Sequence, residues 1–450
     1  MKTFREWNVE QRWLFPPSVL EFVPPGHLAH FLRETVSGEL DLTAILATYN
    51  EERGYPPYHP VMMTALLLYA YCQGTYSSRR IAKACVERVD FMAVTGMQQP
   101  DFRTVSEFRR RHLASLGAIF EQVLRLCRRA GLVQLGHVAL DGTKVAANAS
   151  KRKAMSYKRM KQAEQELKKQ IADWFSQAEA IDEAEDREFG AGRTGEELPD
   201  WVANKQKRLE KIRQAKAELE AEARAKAKAS KDKDKDKDHH PRNGAARSQP
   251  ASRRPWKPDG TPRDHVQRNF TDPESRILKT SEGYAQGYNA LLAVDAKRQI
   301  IVACNVVNEQ NEARHFDPML AQIKSHLGRQ AQEVSADSAY CSEANLRAAR
   351  RRHLRVYIAV GRQMHGHPVQ DSRKPIPAGT LRAAMRSKLA RGGYRSRYRL
   401  RKQTVEPVIG QIKEARGFRR FLLRGLSKVW QEWSLLCTAH NLLKLGAATT

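Results

Sequence analysis

Two short apolar runs that each end in an aspartate constrain this chain most. One is His137-Val-Ala-Leu-Asp141, followed by Gly142; the other is Glu333-Val-Ser-Ala-Asp337. Apolar runs this short, closed by turn-forming residues, read as buried strands. If the two strands are parallel neighbours in one sheet, both aspartates emerge at the same edge. A third carboxylate, Glu406, lies in a helix-like stretch, Val405-Glu-Pro-Val-Ile-Gly-Gln-Ile-Lys413. On a helix packed across that sheet, it would complete an acidic site from a third direction.

Charge points to what such a site would meet. The chain has 450 residues, 78 Lys+Arg against 50 Asp+Glu, and a formal net charge of +28, which suits a polyanionic partner. Nucleic acid ranks above a membrane surface, because the longest apolar run, Val61 to Tyr71, is too short to span a bilayer. The N-terminal Met1-Lys-Thr-Phe-Arg-Glu-Trp7 has no signal-peptide core. The six cysteines form no Cys-x-x-Cys pair, so neither a zinc site nor a disulfide framework is expected. These features read as a reduced, cytoplasmic, nucleoid-associated protein with no membrane partner.

The length suggests two or three units. Residues 1–130 read as a helical DNA-binding or assembly domain, with Val61 to Tyr71 an apolar helix. Ser77 or Ser78 is expected to cap the next helix, and Thr104 or Ser106 the one after it. These helices would either read a DNA groove through Arg79, Arg80 or Arg109 to Arg111, or serve packing and dimerisation. Residues 136–446 read as an α/β domain with two interruptions. The first, 151–230, is a helical hairpin whose apolar seam is Met160, Leu167, Ile171, Trp174, Ala178 and Ile181, answered by Leu209, Ile212 and Leu219. The second, 231–262, is expected to be a disordered basic linker, because its Lys-Asp alternation cannot bury a core. Strands are expected at Tyr284–Val294, Gln299–Val307 and Arg355–Val360, with Asp295 in a hairpin turn. A helix is expected over 316–327. Val429, Trp433, Leu436, His440 and Leu443 form a helical stripe that belongs to the core.

Cleaving or joining phosphodiesters calls for two hard cations near the reacting phosphate, and magnesium takes oxygen ligands. Two strand-end aspartates and a helical glutamate, in that order, are what an RNase H-like nucleotidyl-transfer site needs. Lys413 is seven residues beyond Glu406 and so lies on the same helix face. Pro407 lacks an N–H and belongs in a first helical turn, which places the helix cap near Thr404 and Glu406 at the positive end of the dipole. Between Arg382 and Lys428 fifteen lysines and arginines face two acidic residues, Glu406 and Glu414. Each feature alone has a plainer reading: a turn aspartate, a helix-start glutamate, a solvated basic face. Together they favour a metal-dependent nucleic-acid enzyme, with a catalytically silent DNA-binding protein or a simple nuclease as alternatives.

These stretches, with Asn269-Phe-Thr-Asp-Pro-Glu-Ser-Arg276, Tyr284-Ala-Gln-Gly-Tyr-Asn289, Ala336-Asp-Ser-Ala-Tyr340, Arg416-Gly-Phe-Arg-Arg-Phe421 and Ala439-His-Asn-Leu-Leu443, resemble the DDE transposases of bacterial insertion sequences. The group resembled carries a Tyr…Arg…Glu…Lys signature. The resemblance implies an RNase H-like α/β catalytic domain with a helical insertion, behind an all-α N-terminal domain. It implies Asp141, Asp337 and Glu406 as a triad for two Mg2+ (or Mn2+) ions; Asp141 is expected to bridge both, with Asp337 and Glu406 completing one each. It implies a DNA contact by Lys413; further DNA contacts are expected from Tyr398, Arg416, Arg419, Arg420 and the pair Arg401 and Lys402, either of which could fill the signature arginine role. The partners implied are double-stranded DNA, both element ends and target, bound by a homodimer. The signature arginine position, four before the glutamate, holds Lys402 with Arg401 beside it. The tyrosine position holds Arg399, with Tyr398 displaced by one. Asp272 stands either as a fourth carboxylate near the metals or as an Asp-Pro turn.

Overall fold

Helices occupy the first part of the chain: α1 (Leu28–Gly38), α2 (Thr43–Leu46), α3 (Pro60–Cys72), α4 (Ser78–Glu87), α5 (Val89–Thr95), α6 (Phe102–Arg111) and α7 (Leu113–Arg129). The protein is seen here as a computed structural model, which describes residues 18–50, 56–189, 200–238, 254–280, 283–309, 312–361, 376–392 and 397–449. Helix α3 starts on Pro60, where a missing N–H costs nothing, and the His59 ring accepts from the Val61 amide at 3.2 Å. It is buried on every face from Met63 to Cys72, which places it at the centre of the helical layer. Two caps differ from expectation. Asp101, not Thr104 or Ser106, caps α6, accepting from the Thr104 amide at 2.7 Å; a carboxylate there also meets the helix dipole. Ser77 occupies the cap position of α4 without a side-chain bond, and the Ser78 hydroxyl instead accepts from Arg109.

The sheet follows. Strand β1 (His137–Ala146) is succeeded by β2 (Ala154–Ser156), the long helices α8 (Tyr157–Phe189) and α9 (Asp200–Asp238), then β3 (Gln267–Asn269), β4 (Arg276–Thr280), β5 (Gly283–Asp295) and β6 (Ile301–Val307). After these come α10 (Phe316–Leu327), β7 (Glu333–Ala336), α11 (Glu343–Arg351), β8 (Arg355–Ile358), α12 (Leu381–Gly392), α13 (Leu400–Gly410) and α14 (Leu426–Thr449). The main sheet runs β4-β5-β1-β7-β8, with β6 also paired to β5. Strand β5 is antiparallel to β1, β4 and β6, whereas β7 is parallel to both β1 and β8. The result is a mixed sheet covered by helices. No helix among the described residues is long and apolar enough to cross a membrane.

The insertion between β1 and β3 forms its own small core. Tyr157, Met160 and Leu167 of α8 pack on Leu209, Ile212, Ala215 and Leu219 of α9, with Ile171 partly buried beside them. Glu164 sits inside this pair at hydrogen-bonding distance of Lys216 (2.6 Å) and Lys168 (2.9 Å), which pull its carboxyl down to about 2. The side chains of Ala178 and Ile181 lie outside the described residues. The expected linker 231–262 is corrected at both ends. Helix α9 continues to Asp238, because extending an existing helix carries no nucleation cost. Residues 254–262 make a tight hairpin, with the Lys257 amide donating to Thr261 O at 2.8 Å and a bridge between Trp256 and Pro262. Residues 239–253 lie outside the described set.

Helix α14 joins the two halves. Buried residues of the N-terminal helices, the sheet and α14 form one continuous apolar cluster. Asn441 is wholly buried and clamps strand β6: its Oδ1 accepts from the Ile301 amide and its Nδ2 donates to the Ile301 carbonyl, both at 2.9 Å. Asn441→Ala would strand both backbone groups, with an expected loss of about 2–4 kcal/mol in urea unfolding, whereas loss of one exposed bond would cost well under 1.

His440, one residue earlier, is buried with Nε2 at 2.9 Å from Gln299 O and Nδ1 facing Arg416 at 3.3 Å. Burial, then the Arg416 charge, push the imidazole down to about 3 from its ordinary 6.5. The folded pKa is the lower one, so stability is full above pH 6.5 and falls as the unfolded chain takes up the proton. Stability at pH 5 should be about 2 kcal/mol below that at pH 7.5 from this group. Urea titrations of wild type and His440→Gln at the two pH values check this; parallel losses in both would refute it.

Candidate active site

The register of the parallel pair decides where the aspartates fall. Leu140 of β1 lies opposite Ala336 of β7, the last paired residues, so Asp141 and Asp337 follow side by side. Val138 to Leu140 and Val334 to Ala336 are buried, which anchors both strand ends beneath the carboxylates. Asp337 leaves the strand into a 3-10 turn and accepts from the Ala339 amide at 3.0 Å. Helix α13 presses Val405 and Val408 into the core, leaving Glu406 between them about half exposed, at 49%.

Pro407 corrects the expected helix start. Helix α13 begins at Leu400, so Pro407 is inside it and Glu406 is not at its N-terminus. Proline removes the amide that would bond to the carbonyl of Gln403. That carbonyl accepts instead from Gln299 Nε2 at 3.2 Å, so a tertiary contact satisfies the broken ladder. A π turn, Gln411–Ala415, then extends the helix, closed by a bond from the Arg416 amide to Gln411 O at 3.1 Å. Lys413 on this turn reaches back to β1, donating to Thr143 Oγ1 and to Lys144 O, each at 3.1 Å.

Arg401 ties the centre together. One guanidinium nitrogen bonds the Asp141 carboxylate and the other reaches Glu406 Oε1 at 3.2 Å, while its charge stands 6.0 Å from the Tyr398 ring. Its side chain is only 11% exposed. Arg401 reaches the carboxylates from a partly buried position, and Lys402, the next residue, is exposed. Burial raises the Asp141 carboxyl to about 6 against the pull of Arg401, and burial likewise raises Asp337.

Sequence reasoning missed Glu312. It lies on the 3-10 turn Glu312–His315 after β6, and burial, then Asp337 and Asp141, push its carboxyl up to about 7. Its stretch, Asn308 to His315, is polar without periodicity, so nothing local marked it.

Other expected residues fall elsewhere. Arg416 turns inward: its guanidinium faces His440 and Gln411 O, and burial lowers its pKa. Arg109 is buried too, donating to Tyr76 O at 2.9 Å and Ser78 Oγ at 3.1 Å, while Arg79 and Arg80 are exposed. Arg419 and Arg420 are exposed, Arg419 paired with Glu414. Asp272 is wholly buried, accepting from Tyr288 Oη at 2.8 Å and the Gly425 amide at 3.2 Å.

The donor set is carboxylate oxygen, which suits a hard cation such as Mg2+ in kind. In spacing, no group of three or more His, Cys, Asp or Glu among the described residues is arranged to hold an ion. The Arg401 bridge accounts for part of this: a guanidinium cation lies between Asp141 and Glu406, and a metal would have to displace it.

Carboxylates gathered at the end of a parallel strand pair, within a strongly basic chain, define an acidic-centre α/β protein suited to a polyanion. Residues 17–111 match the family model of a transposase domain (DUF772), and residues 362–446 match that of a transposase DDE domain. The two matches support a DDE transposase of an insertion sequence. The second spans Arg401, Glu406 and Lys413; neither reaches Asp141 or Asp337. No curated protein and no solved structure matches the chain.

Proposed function

We propose that this protein cuts DNA at the ends of an insertion sequence and joins the freed strands to target DNA. The observation that carries this reading is the register of β1 and β7, which sets Asp141 beside Asp337 under a helix bearing Glu406. Strand β5 antiparallel to β1 and β6, followed in the chain by β7 and β8 running parallel to β1, supports an RNase H-like domain, with β4 an additional antiparallel strand on β5. Asp141, Asp337 and Glu406 would be the residues to hold two Mg2+ ions, whose chemistry there would be activation of the attacking oxygen and stabilisation of the leaving one. Arg401 would pass from the carboxylates to a DNA phosphate, a bidentate partner it suits better than lysine does. Exposed Lys402, Arg419 and Arg420 would follow the backbone, with Tyr398 and Lys413 lining the approach. No protein nucleophile is required, since water and a DNA 3′-hydroxyl attack. Two element ends must meet, which favours a homodimer on DNA, in the cytoplasm with the nucleoid.

The test is a labelled duplex carrying the element ends, incubated with Mg2+ and a target plasmid. Nicked products with 3′-hydroxyl ends and joined strands are expected. Cutting without joining would mean a nuclease. Binding without cutting would mean a silent DNA-binding protein.

A further inference from the structure

We infer that Lys151, Arg152 and Lys153, on the 3-10 turn where β1 leads into the helical insertion, grip the phosphates of duplex DNA beside the carboxylate centre. The inference rests on the proposed function and adds to it a surface that holds the substrate.

Exposure on every face is the first ground. The turn Lys151–Lys153 buries none of its residues, and all three are exposed. A 3-10 turn has three residues per turn, so consecutive side chains diverge by about 120°. Three cations that diverge in this way cannot all meet a flat anionic surface. The two walls of a duplex groove, in contrast, offer phosphates in diverging directions.

Anchoring is the second ground. Ser150 Oγ accepts from the Arg152 amide at 3.3 Å, and Asn269 Nδ2 donates to Ser150 O at 2.8 Å. The Phe270 amide donates to Lys153 O at 3.0 Å. Backbone bonds therefore hold the turn, and its side chains are left for another partner. Just before it, the Phe421 amide donates to Ala146 O at 2.9 Å and Asn148 Nδ2 donates to Leu422 O at 2.7 Å. The segment bearing exposed Arg419 and Arg420 is thus fastened beside the chain that leads to the turn. The path from Asp141 to Lys151 spans at most about 35 Å even if fully extended. That is roughly one helical turn of duplex, so one DNA molecule can meet both the carboxylates and the turn.

Charge is the third ground. No aspartate or glutamate occurs between Asp141 and Glu164, or between Glu414 and Glu432. Carboxylates on nearby elements are engaged: Glu414 with Arg419, Glu274 with the Leu426 amide, and Glu222 with Arg268 and Arg276. Cations gathered on one surface repel each other, and backbone phosphates relieve that repulsion.

The test is binding of a labelled duplex to the full-length protein without metal, titrated over a range of salt, beside thermal unfolding and single-turnover cleavage. The variant Lys151→Gln/Arg152→Gln/Lys153→Gln leaves the anchoring backbone bonds in place, so its Tm should match wild type. Its binding should weaken about 10-fold or more at about 0.1 M salt, and its log–log salt slope should fall by about two to three. Lys151→Gln alone should lower the slope by about one. A control, Lys207→Gln/Arg208→Gln/Lys211→Gln on α9, removes the same charge from exposed positions and should lose much less. If the turn variant keeps the wild-type slope, or the control loses as much, the inference fails; cutting and joining by wild type would still uphold the proposed function. If wild type cuts nothing but the turn variant alone loses slope, the contact stands and the proposed function falls.

Discussion

Asp337→Asn should lower cleavage of an end-bearing duplex by about 1000-fold or more, equivalent to about 4 kcal/mol of transition-state stabilisation. Fold and DNA binding should survive. Asparagine is nearly isosteric and its Oδ1 can still accept from the Ala339 amide, so the 3-10 turn after β7 keeps its cap. The substitution removes one negative charge from a site where burial already disfavours it, so the metal-free protein should melt no lower than wild type. Duplex binding without metal should be unchanged or tighter, because an anion near the phosphates is gone. The measurement is single-turnover cleavage with Mg2+ beside a gel-shift titration at fixed salt. Equal cutting by variant and wild type would remove Asp337 from the chemistry and dissolve the triad.

Trp433→Ala should cost about 4 kcal/mol of stability, within the range for emptying a buried aromatic site. Trp433 is among the largest fully buried side chains, at 0% exposure. Its indole donates to Leu291 O at 3.3 Å on β5, and its ring meets the edge of Phe421 at 6.4 Å. Truncation opens a cavity between α14 and the sheet and removes the indole hydrogen bond to β5. Helix α14 also packs against α3 and α7, and the apolar cluster runs unbroken from those helices to the strands. The N-terminal helices should therefore lose stability together with the sheet, in one transition shifted to lower urea with a similar slope. Two separate transitions, with only the sheet affected, would show that the two parts do not share a core.

Local pattern carried much of this architecture. The apolar runs before Asp141 and Asp337, the strands around β5 and β6, the helix at 316–327 and the stripe through Trp433 and His440 were legible because period and burial are written residue by residue. The hairpin insertion was legible for the same reason, from Met160 and Leu167 against Leu209 and Ile212. Tertiary structure decided the rest. Pro407 reads as a helix start until Gln299, more than a hundred residues away, satisfies the Gln403 carbonyl. Arg109 and Arg416 look like surface cations until buried acceptors draw them inward. Arg401 meets Asp141 and Glu406 because of where α13 crosses β1. Glu312 carries no local mark at all. Hydrophobic periodicity is a property of neighbouring positions, whereas the approach of two charges depends on which distant backbones the packed core brings together.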